Sequence, residues 1–254
     1  TSAYQADTNA YDYFVSAHVA AFVGHTNAHG CAGFLPWHRE FLRRFESEMR
    51  RVSGDPQACL PYWDWQQPGS HRSIFTDDFL GGNGDPNDEF LVKTGVFREG
   101  WWPLAADFDG TPDEFADTDG DGVPDANQDV LSPRGLTRRG SPDIIDQYMA
   151  EQPRAKLLQF GNYDAPHYDE MAAMDEVDSS DDAQTAAWAQ QINAWIAVSM
   201  RKYLEHVLHN PVHGIIGGQM GTGSSPNDPV FFLHHCNVDR LWDQWQQHHG
   251  DAGY

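Results

Sequence analysis

The chain has 254 residues, of which 40% are hydrophobic and 13% aromatic, so it is long enough for one large globular domain with a substantial core. Sixteen basic and 38 acidic residues give a formal net charge of −22, which argues against a nucleic-acid partner, because phosphate binding needs a positive surface. No run of about eighteen apolar residues is present, so the sequence predicts no membrane-spanning segment.

The acidic charge has two interpretations. Asp contributes 28 residues and Glu 10, against 13 Arg and only 3 Lys. This composition indicates either adaptation to high salt, where self-repulsion is screened, or a generally acidic secreted protein. We expect an extracellular or exported protein. The opening Thr1-Ser2-Ala3-Tyr4 has neither a basic nor an apolar region, so a signal was either removed before this numbering or never present.

The first predicted helix carries a histidine on its buried face. Between Ala10 and Val23, apolar residues recur with helical spacing, and His18 falls among them. A single histidine at such a position is more often a core residue than a ligand. The following loop, Gly24 to Gly33, adds His25 and His29.

A second helix and an aromatic block follow. Pro36 suits the first turn of a helix, and the amphipathic stretch that begins at His38 continues it. Leu60 to Trp65 is densely aromatic without a helical period, and we interpret it as a wall of the core.

Residues 69–142 are predicted to be a loop-rich insertion with a calcium-like loop at 117–129. Carboxylates at loop positions 1, 3, 5 and 9 and a glycine at position 6 are typical of calcium loops. Position 12, where a full EF-hand has a bidentate acid, is Gln128. The alternative is a solvated acidic loop. The candidate calcium ligands are Asp117, Asp119, Asp121 and Asp125.

Helical periodicity returns in the C-terminal half. The pattern predicts a short helix over Asp143–Glu151, an acidic linker over Asp175–Asp182 and a long helix over Ala183–Leu208. Pro211 cannot lie deep inside a helix, so we expect a break near Asn210 and a new turn that carries His213. The last predicted helix runs from about His235 to His248.

The histidines form two separated sets. His209 and His213 are four residues apart, so their imidazoles project from one helix face. His235 can join them, because the intervening glycines let the chain turn back. With His18, His29 and His38 upstream, three plus three histidines indicate two metal ions. The cysteines, Cys31, Cys59 and Cys236, are too few and too widely spaced for a disulfide framework, and packing is a better interpretation than ligation for the two beside histidines.

Both ends of the chain resemble the copper motifs of the tyrosinase family, the type 3 dicopper proteins, in their bacterial or archaeal form. The first motif comprises Tyr11-Asp-Tyr-Phe-Val before His18, Phe34-Leu-Pro-Trp-His-Arg39 and Leu60-Pro-Tyr-Trp-Asp-Trp65. The second comprises His209-Asn-Pro-Val-His213, Gly217-Gly-Gln-Met220 and the stretch from Ser225 to Trp242. The resemblance implies a mainly α fold, an antiparallel four-helix bundle around a dicopper site, in one domain over residues 1–254. No C-terminal lid domain is expected.

The resemblance also implies the site residues. His18, His29 and His38 would bind one copper, and His209, His213 and His235 the other. His25 is an alternative to His29 or His18, but the nine-residue spacing to His38 favours His29. Phe231 would pack beside the second copper, and His234 would support the ligands. Asp239, one turn beyond His235, could accept the remaining N–H of that ligand.

The implied activity is phenol oxidation with O₂. In the family, a glutamate and an asparagine beside the first histidine of the second site hold a water that serves as base, and Glu205 and Asn210 match them. Both favour a tyrosinase that o-hydroxylates monophenols over a catechol or o-aminophenol oxidase. The alternative for Glu205 is an ion pair with Arg201 on a solvated helix face.

Two further alternatives are a haemocyanin-like oxygen carrier and a structural zinc protein. We expect small phenolic substrates and a copper-delivery partner protein.

Overall fold

The computed structural model describes residues 10–24, 27–104, 134–152, 154–164, 166, 169–174 and 176–250. The prediction of a mainly helical chain is confirmed. Within these residues only isolated β-bridges occur, at Asp85–Leu91 and Leu91–Thr137. The α-helices are α1 (Ala10–Val23), α2 (Phe34–Ser53), α3 (His71–Ile74), α4 (Asp143–Ala150), α5 (Arg154–Leu157), α6 (Glu170–Met174), α7 (Asp182–Ile196), α8 (Met200–Tyr203), α9 (Asn210–Ile216) and α10 (Val230–His249). None of the described helices is long and apolar enough to cross a membrane.

The long helix predicted over Ala183–Leu208 is wrong, because the chain breaks after Ile196. Ser199 is extended (φ −121°, ψ 127°), and its side chain accepts the N–H of Lys202, so it starts α8 as an N-cap. The Ser199 hydroxyl also donates to the carbonyl of Tyr163, which ties the break to the core. Helical periodicity continues across the break, which is why the sequence pattern did not reveal it.

A π-helical segment, Leu204–His209, joins α8 to α9. Asn210 donates its N–H to the carbonyl of Glu205, five residues earlier, and Pro211 lies in the first turn of α9. The predicted new turn carrying His213 is therefore present, but a wider helical turn precedes it where we expected a simple break.

The last helix begins five residues earlier than predicted, at Val230. Its N-terminal half is almost entirely buried and packs against α2. Arg138 holds the chain before it in place, since its guanidinium makes two buried hydrogen bonds to Asp228, at 2.7 and 2.8 Å, and donates to the carbonyl of Leu80.

The aromatic block is a core wall only in part, since Tyr62 is exposed, whereas the glycine turn lies where the sequence indicated. Trp63 and Trp65 are buried, and the N–H of Trp63 donates to the carbonyl of Leu233 at 3.0 Å, against α10. Gly217 and Gly218 have positive φ values of 63° and 59°, and a Cβ on Gly218 would lie 2.0 Å from the carbonyl oxygen of Thr137. Only glycine fits this return turn.

Candidate metal centre

The first three-histidine set combines two helices and a loop. His18 comes from α1, His29 from the loop before α2, and His38 from α2; their ring centroids lie 5.0 to 5.7 Å apart. The Nδ1–H of His18 donates to the carbonyl of Gly223 at 2.7 Å, and that of His38 to the carbonyl of Phe34 at 2.8 Å. Their Nε2 atoms are buried and have no hydrogen-bond partner among the residues that the structure describes, as expected of nitrogens that face a metal.

The second set is tighter. The Nε2 atoms of His209, His213 and His235 lie 3.0, 3.2 and 3.3 Å from one another. Three nitrogens that each lie about 2 Å from one ion in tetrahedral geometry stand about 3.3 Å apart. The spacing of these three atoms therefore fits one metal ion. His213 is further fixed by donating from Nδ1 to the carbonyl of Met220 at 2.7 Å, and His209 pairs through Nδ1 with the Asn210 amide oxygen at 2.8 Å.

The two sets meet ring against ring. His38 and His235 stack with centroids 4.3 Å apart and an interplanar angle of 11°. Phe231 lies between the sets, with its ring centroid 5.0 Å from that of His18 and 4.1 Å from that of His235. Phe231 thus contacts ligand candidates of both sets, where the sequence suggested only the second.

The expected hydrogen bond from His235 to Asp239 is not made. Asp239 faces α2 and forms an ion pair with Arg39 at 2.5 Å, and the Nδ1 of His235 is buried without a partner in the described part of the chain. Helical spacing placed Asp239 one turn beyond His235, but the tertiary contact with Arg39 decides where its side chain points. The ring of His235 instead packs between that of His38, which is stacked on it, and that of Phe231, which is tilted by 33°.

His234 is fully buried beside the second set. The indole N–H of Trp65 donates to its Nδ1 at 2.9 Å, and its ring stacks on His209 at 4.9 Å and 14°. Because Nδ1 of His234 accepts the indole N–H, Nε2 of neutral His234 carries the proton and has no lone pair for a metal. The nitrogen that faces His209 and His213 at hydrogen-bonding distance is Nε2 of His235.

Burial keeps the six imidazoles neutral at neutral pH. It lowers the pKa of His18 and of His213 to about 4, in each case against a raising hydrogen bond to a backbone carbonyl. Burial, followed by repulsion from neighbouring imidazoles, lowers the pKa of the other four well below the usual value. Neutral imidazole is the form that binds a metal, so both sets fit metal ions.

Glu205 is buried and already has two donors. The N–H of Gly30 donates to one carboxylate oxygen at 2.7 Å, and Arg201 donates to the other at 2.6 Å. The ion pair with Arg201 considered from the sequence exists, but it is buried and not on a solvated face. Asn210 is exposed and directs its amide oxygen to His209; no hydrogen bond of the described residues joins it to Glu205.

Sequence reasoning missed the group that surrounds Glu205. Arg201 also donates to Glu170 at 2.7 Å, and Glu170 accepts from His206 at 2.6 Å. We call Arg201, Glu170, Glu205 and His206 the acid–base cluster. The three acidic and imidazole groups could hold a metal by distance alone, but the guanidinium lies between the carboxylates and takes that place. Glu170 lies on α6, far from Glu205 in sequence, and no spacing pattern linked the two residues.

Two groups of predicted residues lie outside the described part of the chain. These are His25 and the calcium-like loop with Asp117, Asp119, Asp121 and Asp125.

Comparison with known proteins agrees with this geometry. A family model described as the common central domain of tyrosinase matches residues 8–248. The tyrosinase of Streptomyces glaucescens is 33% identical over 252 residues, which cover 96% of this chain and 75% of that protein. Grixazone synthase of Streptomyces griseus is 32% identical over 257 residues (95% and 76%), and the tyrosinase of Felis catus 28% over 257 residues (96% and 44%). The chain therefore belongs to the tyrosinase family and is a copper oxidoreductase.

Proposed function

We propose that the chain is a dicopper phenol oxidase that uses O₂ to o-hydroxylate monophenols and to oxidise o-diphenols to o-quinones. The observation that carries this proposal is the face-to-face packing of two sets of three neutral histidines. His18, His29 and His38 would hold one copper, and His209, His213 and His235 the other. When bound, the two coppers supply oxygen binding and electron transfer.

The protein's own contribution includes removal of a proton. A phenol has a pKa near 10, so at neutral pH a base must take its proton before it can bind as phenolate. We assign this task to a water held by Glu205 and Asn210. Glu205 lies one turn before His209, and a carboxylate has about four acceptor positions, of which two are used by Gly30 and Arg201.

The alternative is a catechol or o-aminophenol oxidase without monophenol hydroxylation. One observation favours it: both oxygens of Glu205 are bound within a buried ionic cluster, and its carboxylate does not hydrogen-bond to Asn210. In this alternative Glu205 stabilises the fold and does not hold the water that would act as base.

Two substitutions separate these activities. In Glu205→Gln and Asn210→Asp, turnover of tyrosine should fall at least tenfold more than turnover of a catechol, because only the monophenol must lose its proton to a base. Glu46→Gln is the matched control, because Glu46 likewise accepts from a backbone N–H, that of Leu60, and from an arginine, Arg50. Equal losses on both substrates, or a native chain that never hydroxylates a monophenol, would leave the alternative.

The metal assignment has its own test. Replacing His38 or His213 by Ala should reduce bound copper from two ions to about one per chain and abolish oxidation of both phenol classes. His248→Ala, an exposed histidine of α10, should change neither. Metal analysis with an absorption spectrum under O₂ also separates this proposal from a zinc protein, and a chain that binds O₂ reversibly without oxidising phenols would be an oxygen carrier.

We also propose that Asp117, Asp119, Asp121 and Asp125 bind calcium. The support is their spacing with Gly122 in the sequence. Chelation of calcium should lower the melting temperature without removing copper. A melting curve that is indifferent to calcium and to chelator would reject this site.

A copper-delivery partner is a further proposal. Its support is burial, because four of the six proposed copper ligands, His18, His38, His209 and His235, are at most 3% exposed, and the other two are half-buried. Purified copper-free chain should load slowly from free Cu²⁺. Complete loading within seconds would make a partner unnecessary.

A further inference from the structure

A chain of hydrogen bonds leads from the acid–base cluster to a proposed copper ligand. Glu170 pairs with the Nε2 of His206 at 2.6 Å. The Nδ1 of His206 lies 3.5 Å from the amide nitrogen of Asn210, and the amide oxygen of Asn210 lies 2.8 Å from the Nδ1 of His209. Three contacts, through the side chains of His206 and Asn210, thus connect a buried carboxylate to an imidazole of the second set.

The carboxylate of Glu170 determines which group donates and which accepts in each of these three hydrogen bonds. Burial alone would raise the pKa of Glu170, but hydrogen bonds from His206 and Arg201 and the charge of Arg201 lower it to about 2, so Glu170 is ionised and can only accept. When His206 is neutral, it donates from Nε2 to Glu170 and accepts at Nδ1. Asn210 in turn donates its N–H to His206 and presents its oxygen to His209.

The tautomer of His209 depends on its side-chain partner more than the tautomers of the neighbouring histidines do. His18, His38 and His213 donate from Nδ1 to backbone carbonyls, which can only accept. His209 instead meets a side-chain amide, whose oxygen and nitrogen exchange places when the amide turns over. After such a reversal, the amide N–H of Asn210 would point at Nδ1 of His209. This arrangement would disfavour a proton on Nδ1 and would favour the tautomer whose Nε2 carries the proton.

We propose that His206 is a positioning residue for the second three-histidine set. Together with Glu170 it orients the amide of Asn210, and this amide holds His209 in the tautomer that presents a free Nε2. His206 contacts neither substrate nor metal and acts only through Asn210. This inference rests on the proposed function only where copper binding is measured.

The charge of His206 limits the conditions of the test. Burial lowers its pKa, but the hydrogen bond to Glu170 and the charges of Glu205 and Glu170 raise it further than burial and Arg201 lower it. The charged groups that face it are therefore Glu170 from α6, Arg201 from α8 and Glu205 from its own segment. A proton on Nδ1 would face the N–H of Asn210, so the orientation of the amide is to be measured at about pH 9, well above the usual pKa of histidine.

The first experiment reads the tautomer of His209 directly in copper-free protein. Nitrogen-15 NMR of histidine-labelled chain, with the signal assigned by its loss in His209→Gln, should show the Nδ1–H tautomer of His209. In His206→Ala both tautomers should appear. His206→Gln should restore the single tautomer, since its amide can donate to Glu170 and accept from Asn210. His71→Ala is the matched control, because His71 is another buried histidine that pairs with a carboxylate, that of Asp143.

The second experiment measures copper by competition with a chelator at the same pH. His206→Ala should weaken the more loosely held copper by about 10- to 100-fold, and His206→Gln by much less. An unchanged tautomer in His206→Ala overturns the proposal, as does a loss of copper affinity equal to that in His71→Ala. A mixed tautomer in a chain whose native form binds no copper would reject the proposed function and leave this inference standing.

If His206→Ala does not fold, the native copper-free chain provides the test. Lowering the pH from 9 to 6 protonates His206 before His209, whose pKa is well below the usual value. The tautomer signal of His209 should become mixed as His206 gains its proton. A signal that stays constant over this range overturns the proposal.

Discussion

The buried imidazoles of the two sets make the copper-free chain sensitive to acid. In the folded chain the pKa of His18 and of His213 is about 4, whereas in the unfolded chain it is about 6.5. As the pH falls through 6.5, the unfolded state therefore takes up protons that the folded state cannot bind. Stability is lost between about pH 6.5 and 4, on the order of 3 kcal/mol for each of the two groups, and these groups add nothing further below pH 4.

Urea unfolding of copper-free protein at pH 7 and pH 5 measures this loss. The free energy of unfolding should fall by several kcal/mol, and by less in His18→Gln, which removes one of the buried groups. His248→Ala, whose ring is exposed, should lose as much as the native chain. A free energy that is constant between the two pH values would contradict the buried neutral state of the histidines.

At the residue scale, sequence spacing predicted which histidines belong to the site, but it did not predict their hydrogen-bond partners. The four-residue interval between His209 and His213 and the buried face of His18 follow from helix geometry, and the structure brings these residues to the centre. The partners of those residues come from other elements: Arg39 takes Asp239, and Glu170 takes His206. One-dimensional spacing cannot report a contact that depends on how two helices pack.

Among the elements, the π-helical segment owes its form to Pro211. In a regular helix the carbonyl of Val207 would accept the N–H of residue 211, but proline has none. The chain instead bonds Asn210 to Glu205, and the hydroxyl of Tyr148 on α4 donates to the Val207 carbonyl at 2.8 Å. A side chain from another helix thereby replaces the missing backbone donor.

Removing that hydroxyl should destabilise the segment. In Tyr148→Phe the Val207 carbonyl loses its donor, which costs about 1–3 kcal/mol, or a fall of roughly 2–10 °C in melting temperature for a domain of this size. Calorimetry of copper-free protein measures the change. Tyr62→Phe is the control, since Tyr62 is about half exposed (52%). If the two variants have the same melting temperature, the hydrogen bond from Tyr148 does not stabilise the segment.

The same segment shows why the helix pattern predicted only part of this region. Trp188, Ile192 and Trp195 recur as in one helix that continues to Tyr203, but in the structure these three are only half-buried on α7, whereas all four residues of α8 are buried. The interruption depends on Ser199, which bonds to Tyr163, a residue of a loop that the pattern could not place. Apolar spacing identifies which residues form helices, whereas a cap that depends on a distant carbonyl decides where they end.

For the whole molecule, the net charge of −22 should select among phenols. A negative surface attracts cationic substrates and repels anionic ones, with effects on association of roughly ten- to a thousand-fold at low ionic strength. We expect kcat/KM for tyramine to exceed that for 4-hydroxyphenylpropionate, and the ratio to approach one at 1 M salt, where the Debye length is about 3 Å.

A neutral phenol such as 4-ethylphenol should depend little on salt and serves as the control. A ratio that does not change with ionic strength would place the selectivity in local contacts and not in the overall field. Adaptation to high salt stays a separate prediction, and a melting temperature that rises with KCl well beyond its rise with an uncharged osmolyte would support it.

The stacked pair of His38 and His235 has a consequence for folding. The two rings come from opposite ends of the chain, so they can touch only after nearly the whole sequence has closed into one unit. Closing so long a loop costs entropy before any contact compensates it, and contacts of this kind form late. The histidines of each set are close in sequence and can come together early, but the stacked contact between the two sets forms at the end. The metal centre should thus mature in the last step of folding, and early copper would meet two half-sites held apart by an open chain.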